Sequence, residues 1–339
     1  MIRACAARRA RRAKGDAADG PGAGSGIREA SGPAHKLGRM QAIQYDETGG
    51  PEVLRLVDVP VPEPEGARVR VAVRAAGVNP ADWKIRRGLM PGPQFPRRAG
   101  IEIAGVVDAA GPEAAWQVGD EVIGWAEGGG YAEFALAERL VAKPAELSFL
   151  DAVAIPVAAN TAGGGLAELN LEPDETLLVN GASGAVGSMA AQLARAAGVR
   201  VIGTASAANQ DVVQSFGATP TTYGEGVADR VRALAPNGVD AVFDCAGHGF
   251  LDAAIELRGG TDRIITIADV SAEEKGVRFY SRPGGPLDIV AEAARLLAAE
   301  AIRLPAPART FPLAEAAAAQ RESESGHGLG KIVLITAPR

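Results

Sequence analysis

The chain is poor in cysteine and histidine. Its 339 residues include two cysteines, Cys5 and Cys245, and three histidines. The two cysteines lie far apart and form neither a CxxC pair nor an even series, so a disulfide scaffold and a cysteine-built zinc site are excluded. This cysteine usage is typical of a reducing compartment and predicts a cytoplasmic protein.

Long apolar runs are also missing. No window approaches the roughly 18 uninterrupted apolar residues that a membrane span needs, so a soluble chain with no membrane partner is predicted. The composition is 47% hydrophobic and 22% charged, which suits one large or two ordinary globular domains. A repeat of fixed period is absent as well, and solenoids and propellers are therefore not expected.

Basic residues are concentrated at the start of the chain. The net charge is -6, but residues 1–39 carry nine Lys or Arg and three acids, which leaves 26 basic and 38 acidic residues in the rest. An acidic body argues against nucleic acid as a partner. Residues 1–39 lack periodicity and the apolar core of an export signal. We predict a disordered basic tail there, with the fold beginning at Met40.

Two kinds of pattern follow each other from Met40 onward. Segments up to Pro144 alternate apolar and polar residues between Gly and Pro, which predicts short antiparallel strands. Beyond Pro144, helical spacing alternates with apolar strands at 176–179, 200–203, 241–244 and 263–268, which predicts a parallel sheet with crossover helices. The closing GKIVLI is a strand that can rejoin the first sheet. We predict an α/β protein with a β-rich domain over 40–158 and 305–339, a doubly wound Rossmann domain over 159–304, and a cleft between them.

The segment LLVNGASGAVGSMAAQL connects an apolar strand to an alanine-rich helix through a glycine turn. Gly184 lacks a Cβ where backbone must approach a pyrophosphate, Gly187 allows the helix to pack on the strand, and Gly181 makes the tight turn one residue earlier than usual. Amides of residues 183–186 are expected to face the diphosphate at the positive end of the helix dipole. An ordinary turn with small residues for packing is the alternative. The strand before the turn and the helix after it favour a dinucleotide site.

A missing acid predicts which nucleotide binds. In NAD-preferring folds, a carboxylate about 20 residues beyond the turn accepts hydrogen bonds from the ribose 2'-OH. No acid occurs here between residues 175 and 211, and Ser206 and Asn209 can donate hydrogen bonds to a 2'-phosphate. No Lys or Arg lies between residues 200 and 230 to add positive charge. The sequence therefore predicts NADP(H) rather than NAD(H).

Several segments resemble the medium-chain dehydrogenase/reductase superfamily, specifically its zinc-free quinone oxidoreductase branch, also called the zeta-crystallin-like group. In the order of the family they read GVNPADWKIRRG, GIEIAGVV, VGDEVIG, NGASGAVG, VIGTAS and GHGLGKIVLI. The resemblance covers essentially all of residues 40–337. It implies a GroES-like β domain plus a Rossmann domain, NADPH as hydride donor and often a homodimer.

The resemblance also locates the positions at which zinc alcohol dehydrogenases of this superfamily hold their metal. Their Cys after a Gly-Val strand end and their His-Glu pair correspond to Asn79 and to Ile101 and Glu102 here. The predicted β domain contains no Cys, and its one His is His327. Catalytic zinc needs three N, S or O ligands in a tetrahedral array, so we predict no metal site.

Hydride transfer without a metal needs a substrate that is already polarised, such as a quinone or an enone. Asn79 can donate an amide hydrogen bond to the carbonyl oxygen of the substrate, or it caps a turn before Pro80. Lys84 stands where quinone reductases of this group often carry Tyr; it protonates an enolate, binds an anionic substrate, or is a solvated surface lysine. Tyr131 lines the cleft or packs within a strand. Asp82 is predicted to cap the following helical turn.

Further cofactor contacts are implied by the resemblance. It places residues 160–161 beside the nicotinamide, Tyr223 near the adenosine phosphate, and 267–269 at the carboxamide. Lys331 is also predicted to supply the positive charge missing near Ser206. Each of these positions has an alternative in loop geometry or surface solvation. The complete predicted cofactor set is Asn160, Thr161, Gly181, Ser183, Gly184, Ala185, Val186, Gly187, Thr204, Ser206, Asn209, Tyr223, Ile267, Asp269, Gly330 and Lys331.

The leading hypothesis is NADPH-dependent reduction of a quinone or an α,β-unsaturated carbonyl compound. A biosynthetic enoyl reductase acting on a polyketide or thioester intermediate uses the same chemistry. A non-catalytic NADPH-binding protein with a structural or sensor role is the alternative from a different class. Turnover of NADPH with any of these substrates distinguishes the first two hypotheses from the third.

Overall fold

The computed structural model describes residues 38–281, 285–326 and 328–336. The predicted disordered tail lies outside these residues except at its end, where Arg39 already belongs to the first strand. His327 lies outside them too. Three sheets organise the described chain, and the predicted α/β class with a Rossmann-type parallel sheet is confirmed.

The first eight strands build two sheets. In chain order they are β1 (Arg39–Tyr45), β2 (Arg55–Pro60), β3 (Val69–Val78), β4 (Arg97–Arg98), β5 (Glu102–Ala110), β6 (Glu121–Trp125), β7 (Phe134–Ala137) and β8 (Leu140–Ala142). β1 lies between β2 and β4, while β3, β5, β6 and β8 are neighbours in that order and β7 pairs with β3. Alternation explains the sheet faces: Val71 and Val73 in β3 are fully buried, and Arg74 is exposed.

Six further strands form a parallel sheet. They are β9 (Thr176–Asn180), β10 (Arg200–Ala205), β11 (Thr219–Thr222), β12 (Ala241–Asp244), β13 (Ile264–Thr266) and β14 (Arg278–Phe279). Their order is β11-β10-β9-β12-β13-β14, and all pairs are parallel. The order reverses direction between β9 and β12, which makes the carboxyl ends of these strands the expected place for a ligand.

The helices of the described chain are α1 (Pro80–Arg86), α2 (Phe149–Ala152), α3 (Pro156–Leu169), α4 (Ala185–Ala196), α5 (Gln210–Ser215), α6 (Val227–Leu234), α7 (Leu251–Arg258), α8 (Leu287–Ala298) and α9 (Ala316–Ser325). The helical pattern predicted after Pro144 is divided in two, because Pro156 lacks an N–H and starts a new helix at its first position.

One stretch, Phe149–Leu169, is long and apolar enough to cross a membrane by length and composition, with a mean hydropathy of 1.2. However, 61% of its most apolar 18-residue window is buried inside the structure. Ala158, Ala159 and Ala162 pack in the main core together with residues of the parallel sheet. Core helices of globular proteins show the same composition and burial.

The chain finally returns to the sheet that contains β3 through β15 (Arg309–Pro312) and β16 (Ile332–Ile335). β16 pairs antiparallel with β3, and Ile332 lies opposite Val78. This register brings Lys331, the residue before β16, next to Asn79, the residue after β3. The position of the candidate site therefore depends on pairing between β3 and the last strand of the described chain.

Candidate active site

The turn between β9 and α4 contains glycines in different surroundings: backbone packs tightly against Gly187, and Gly184 has open space beside it. Gly181 has a φ of +77°, in the left-handed region that favours glycine. A Cβ on Gly187 would lie 2.2 Å from the Gly181 carbonyl oxygen, so the helix can pack here only without a side chain. A Cβ on Gly184 would meet only that same oxygen, at 3.4 Å. Gly184 thus leaves room for a phosphate to approach the backbone.

The first turn of α4 has no side-chain cap. The Gly184 N–H donates to the Gly181 carbonyl oxygen at 3.0 Å, so the prediction that this amide faces a diphosphate is wrong. The amides of Ser183, Ala185 and Val186 make no backbone hydrogen bond within the described chain. An uncapped helix start with unpaired amides fits the diphosphate of a dinucleotide.

Four buried polar side chains form a row beneath this turn, one from each of four adjacent strands. Thr204 donates to Asn180 Oδ1 at 2.6 Å. Asn180 Nδ2 donates to Asp244 Oδ1, and Thr266 Oγ1 donates to Asp244 Oδ2, both at 2.7 Å. Thr204 also accepts a hydrogen bond from the Gly181 N–H. Its side chain is fully buried, so the prediction of direct cofactor contact is wrong for Thr204, which instead supports the glycine turn.

The polar row also holds the neighbouring loops. Asp244 Oδ1 accepts from the Gly247 amide at 2.8 Å, and Thr266 Oγ1 accepts from the Asp269 amide at 3.0 Å. Sequence reasoning does not single out Asn180, Asp244 or Thr266. Each is the last residue of a parallel strand, and that position was the signal available, because such ends share one edge of the sheet.

The adenosine end of the predicted cofactor site lies where β10 and β11 end. Asn209 Nδ2 lies 3.5 Å from Ser183 Oγ, and the Asn209 amide donates to the Ser206 carbonyl oxygen at 3.0 Å. Tyr223, which directly follows the neighbouring strand β11, is 58% exposed. The structure therefore brings together four of the predicted residues, which all carry hydrogen-bond donors.

The nicotinamide end has fewer free groups than predicted. The Ile267 amide donates to the Asp244 carbonyl oxygen, and the Asp269 amide donates to Thr266, so neither N–H is free to bind a carboxamide. Asn160 on α3 is buried, and its Oδ1 has no hydrogen-bond partner within the described residues. Thr161 next to it is partly buried.

A buried cluster in the sheet that contains β3 consists of Asn79, Glu102 and Lys331. Lys331 Nζ donates to Asn79 Oδ1 and to Glu102 Oε2, both at 2.6 Å. Asn79 Nδ2 donates to Glu102 Oε2 at 3.0 Å and lies 3.4 Å from the Gly77 carbonyl oxygen. The other carboxylate oxygen of Glu102 accepts from the Val157 amide in the first turn of α3, at 2.6 Å. The cluster thereby links β3, β5, α3 and the segment before β16.

This geometry corrects two predictions. Both amide hydrogens of Asn79 face protein acceptors, and exchanging its O and N would set like groups against Glu102 and Lys331. Asn79 is therefore the N-cap residue immediately before α1, and it does not present a free donor to a substrate oxygen. Lys331 is bonded within the cluster, so it is not the cation predicted beside Ser206. Gly330, with a φ of +83°, turns the chain toward it.

Asp82 lies beneath the cluster. Its Oδ2 accepts from the Asn79 amide at 2.8 Å and from the Tyr131 hydroxyl at 2.9 Å, which confirms the predicted capping role of Asp82. Burial raises the pKa of Asp82 to about 7 and raises the pKa of Tyr131 well above its ordinary value. Tyr131 is fully buried, so the prediction that it lines the cleft is wrong and the packing alternative holds.

Lys84 keeps a free donor. It lies two residues after Asp82 and therefore on the other side of α1. Within the described residues its ammonium forms neither a hydrogen bond nor an ion pair, and Nζ lies 5.8 Å from the centre of the Trp83 ring. Partial burial lowers the pKa of Lys84. Of the three predicted catalytic residues, Lys84 alone has a side-chain donor without a hydrogen-bonding partner within the described residues.

Comparisons with known proteins identify the family. The alcohol dehydrogenase GroES-like domain matches residues 65–179, and the zinc-binding dehydrogenase family matches residues 185–281. The chain is 34% identical over 321 residues to the quinone oxidoreductase of Lama guanicoe, an alignment that covers 87% of this chain and 97% of that protein. The chain belongs to the quinone oxidoreductase branch of the medium-chain dehydrogenase/reductase superfamily. It is an oxidoreductase with a nicotinamide cofactor.

Solved structures of this branch have the same fold. The quinone oxidoreductase from Coxiella burnetii gives a TM-score of 0.78 at 29% identity and covers 88% of this chain and 100% of that one. A mycobacterial protein complexed with NADPH gives a TM-score of 0.75 at 31% identity with the same coverage. The chain is also 36% identical to the spectinabilin polyketide synthase system protein NorB of Streptomyces orinoci, over 86% of this chain and 14% of that protein.

Zinc is named in one of the family descriptions, and the donor set here does not fit it. Ile101 is apolar, and both carboxylate oxygens of Glu102 already accept hydrogen bonds. Over the described ranges, no group of three or more His, Cys, Asp or Glu side chains is arranged to hold a metal ion. The ammonium of Lys331 neutralises Glu102 instead.

Proposed function

We propose that this quinone oxidoreductase family member transfers hydride from NADPH to a quinone or to an α,β-unsaturated carbonyl compound without a metal ion. The Asn79–Glu102–Lys331 cluster is the observation that carries the proposal. At the place where zinc dehydrogenases bind their metal, these side chains satisfy one another and offer no ligand set for a Lewis acid. The substrate must therefore be polarised by its own conjugation.

Different residues of the chain would bind the cofactor, deliver the proton and position the helices. Bound NADPH supplies the hydride, and the open turn at Gly184 with the unpaired amides of α4 holds its diphosphate. Lys84, with its unpaired ammonium and lowered pKa, delivers the proton that completes the reduction or holds an anionic group of the substrate. The buried cluster fixes the relative position of α1 and α3.

Preference for NADPH over NADH is part of the proposal. It is supported by the stretch without acids around the end of β10 and by the donors of Ser183, Ser206 and Asn209 at that point. The mycobacterial relative complexed with NADPH is consistent with it. Location in the cytoplasm and a homodimer, expected from the cysteine usage and the resemblance, complete the proposal.

A second candidate is reduction of an enoyl thioester. It is favoured by the match to the polyketide synthase system protein NorB and by a 34% identity over 329 residues to the phenolphthiocerol synthesis polyketide synthase of Mycobacterium marinum, of which the chain covers 15%. An anionic carrier group on such a substrate would suit the unpaired ammonium of Lys84.

The test is steady-state NADPH oxidation over a matched panel of quinones, 2-alkenals and enoyl thioesters, with NADH as the control reductant. We expect turnover with at least one quinone or enone and a higher kcat/KM with NADPH than with NADH. Turnover confined to enoyl thioesters would favour the second candidate. A protein that binds NADPH tightly and oxidises it with no member of the panel would contradict both.

A further inference from the structure

We propose that Arg230 supplies the positive charge by which this chain distinguishes NADPH from NADH. The inference rests on the proposed NADPH preference and names the residue responsible for it. Neutral donors alone surround the predicted 2'-phosphate position in the sequence, and Lys331, the cation first assigned to it, is bonded elsewhere.

The guanidinium of Arg230 reaches from α6 back to the loop that follows β11. Its Nη1 donates to the Glu225 carbonyl oxygen at 2.8 Å, and its Nη2 donates to those of Thr222 and Tyr223 at 3.0 and 3.3 Å. Within the described residues no carboxylate pairs with Arg230. Carbonyl dipoles fix the group in place, but they leave its unit charge uncompensated.

The position of this charge follows from the sheet register. Thr222, whose carbonyl oxygen accepts from Arg230, lies opposite Ala205, the last residue of β10. Adjacent strands lie about 4.8 Å apart, and the carbonyl group and its hydrogen bond add to this spacing, so the guanidinium lies on the order of 10 Å from the end of β10. Rossmann folds hold the 2' group of the ribose at this strand end. Gln210 holds the ends of β10 and β11 together, because it donates to the Ser206 and Thr221 carbonyl oxygens at 2.9 and 3.2 Å.

Acidic groups near these strand ends do not cancel the charge. Asp229 on α6 pairs with Arg232 at 2.9 Å. Glu225 and Asp211 are exposed to solvent, where water and salt screen them. The Nε of Arg230 is buried, so its charge is screened less. A phosphate with two negative charges at the end of β10 is stabilised by this field, whereas a hydroxyl group is not.

The experiment compares Arg230→Gln, Arg230→Lys and, as a matched control on the same helix, Arg232→Gln. Dissociation constants are measured by titration calorimetry for NADPH, NADH, 2',5'-ADP and 5'-AMP at low ionic strength. We expect Arg230→Gln to weaken the binding of NADPH and 2',5'-ADP by about tenfold and to leave the binding of NADH and 5'-AMP unchanged. Arg230→Lys should keep most of the preference because it keeps the charge. Arg232→Gln should also keep most of it, because the Asp229 carboxylate that it frees is exposed to solvent.

An unchanged NADPH to NADH ratio in folded Arg230→Gln overturns the inference. Equal weakening of all four ligands overturns it as well, because it would show that Arg230 only shapes the loop. Wild-type protein that binds NADPH and NADH equally would contradict the proposed cofactor preference itself, before any variant is made.

Discussion

Gly184 and Gly187, in the turn between β9 and α4, have different roles, and substitutions at the two positions separate these roles. We expect Gly184→Val to abolish NADPH binding, because the side chain enters the space left for the pyrophosphate, while the Tm without nucleotide changes little. We expect Gly187→Ala to lower that Tm by several degrees, because its Cβ would lie 2.2 Å from the Gly181 carbonyl oxygen. Fluorescence titration and thermal unfolding measure the two effects. Normal NADPH binding by Gly184→Val would show that the fingerprint has been misplaced.

Lys84 is tested through the pH dependence of turnover. A proton donor must be in its acid form, so activity should fall as the pH rises through the pKa of Lys84, which burial sets below its ordinary value. Lys84→Met should remove this alkaline limb and lower kcat by about a hundredfold. A change confined to KM would assign Lys84 to binding an anionic group. If kcat, KM and the pH profile all match wild type, Lys84 has neither role.

Local chemistry predicts some residues of the site and not others. The glycine turn and the capping role of Asp82 follow from neighbours in the sequence. The inward orientation of Asn79 depends on Lys331, and that of Tyr131 depends on Asp82. Both partners are distant in sequence and arrive only through sheet pairing, so the sequence alone left two alternatives open for each residue.

At the scale of elements, the start of α1 is held by a buried carboxyl group. Burial raises the pKa of Asp82 from 3.8 to about 7, so between these pH values the folded protein keeps a proton that the unfolded chain releases. The stabilisation from Asp82 is therefore complete below about pH 4 and is lost as the pH rises through about 7. Three pKa units correspond to at most about 4 kcal/mol.

Urea denaturation of wild type and Asp82→Asn between pH 4 and pH 8 tests this linkage. The free energy of unfolding of wild type, relative to that of the variant, should decrease as the pH rises. Parallel curves over the whole range would mean that Asp82 titrates alike in the folded and unfolded states.

The strands and helices followed their sequence patterns where burial is complete. Strand β12 has the predicted bounds, and β9 and β10 extend one and two residues beyond them. The strand predicted over 263–268 is shorter, because β13 covers only Ile264–Thr266. The pattern does not reveal β11, because its sequence TPTT is polar and contains a proline, as an edge strand can. The predicted domain boundaries near residues 158 and 304 stay predictions.

At the scale of the whole molecule, the ion pair of Lys331 and Glu102 ties the returning chain to β5 and α3. Lys331→Met should lower the free energy of unfolding by about 3 kcal/mol or more, because it leaves a buried carboxylate without its counter-charge. The double variant Glu102→Gln/Lys331→Met should recover part of this loss. Urea denaturation of both single variants and the double variant gives the coupling energy. Additive losses would show that the two charges do not interact.

The change from antiparallel to parallel patterning predicted the general architecture, including the return of the last strand to the first sheet. The buried polar groups of the candidate site were less predictable. The row of four polar side chains and the Asn79–Glu102–Lys331 cluster each combine residues from three or more separated segments. No short sequence motif predicts that such residues come into contact.

We propose metal-free hydride transfer from NADPH to a conjugated substrate. The most direct measurement uses protein treated exhaustively with a chelator, NADPH deuterated at the reactive C4 position, and an enone that the substrate panel shows to be reduced, with mass spectrometry of the product. We expect deuterium on the β carbon of the product and a turnover equal to that of untreated protein. Turnover that disappears on chelation and returns with added zinc would contradict this proposal.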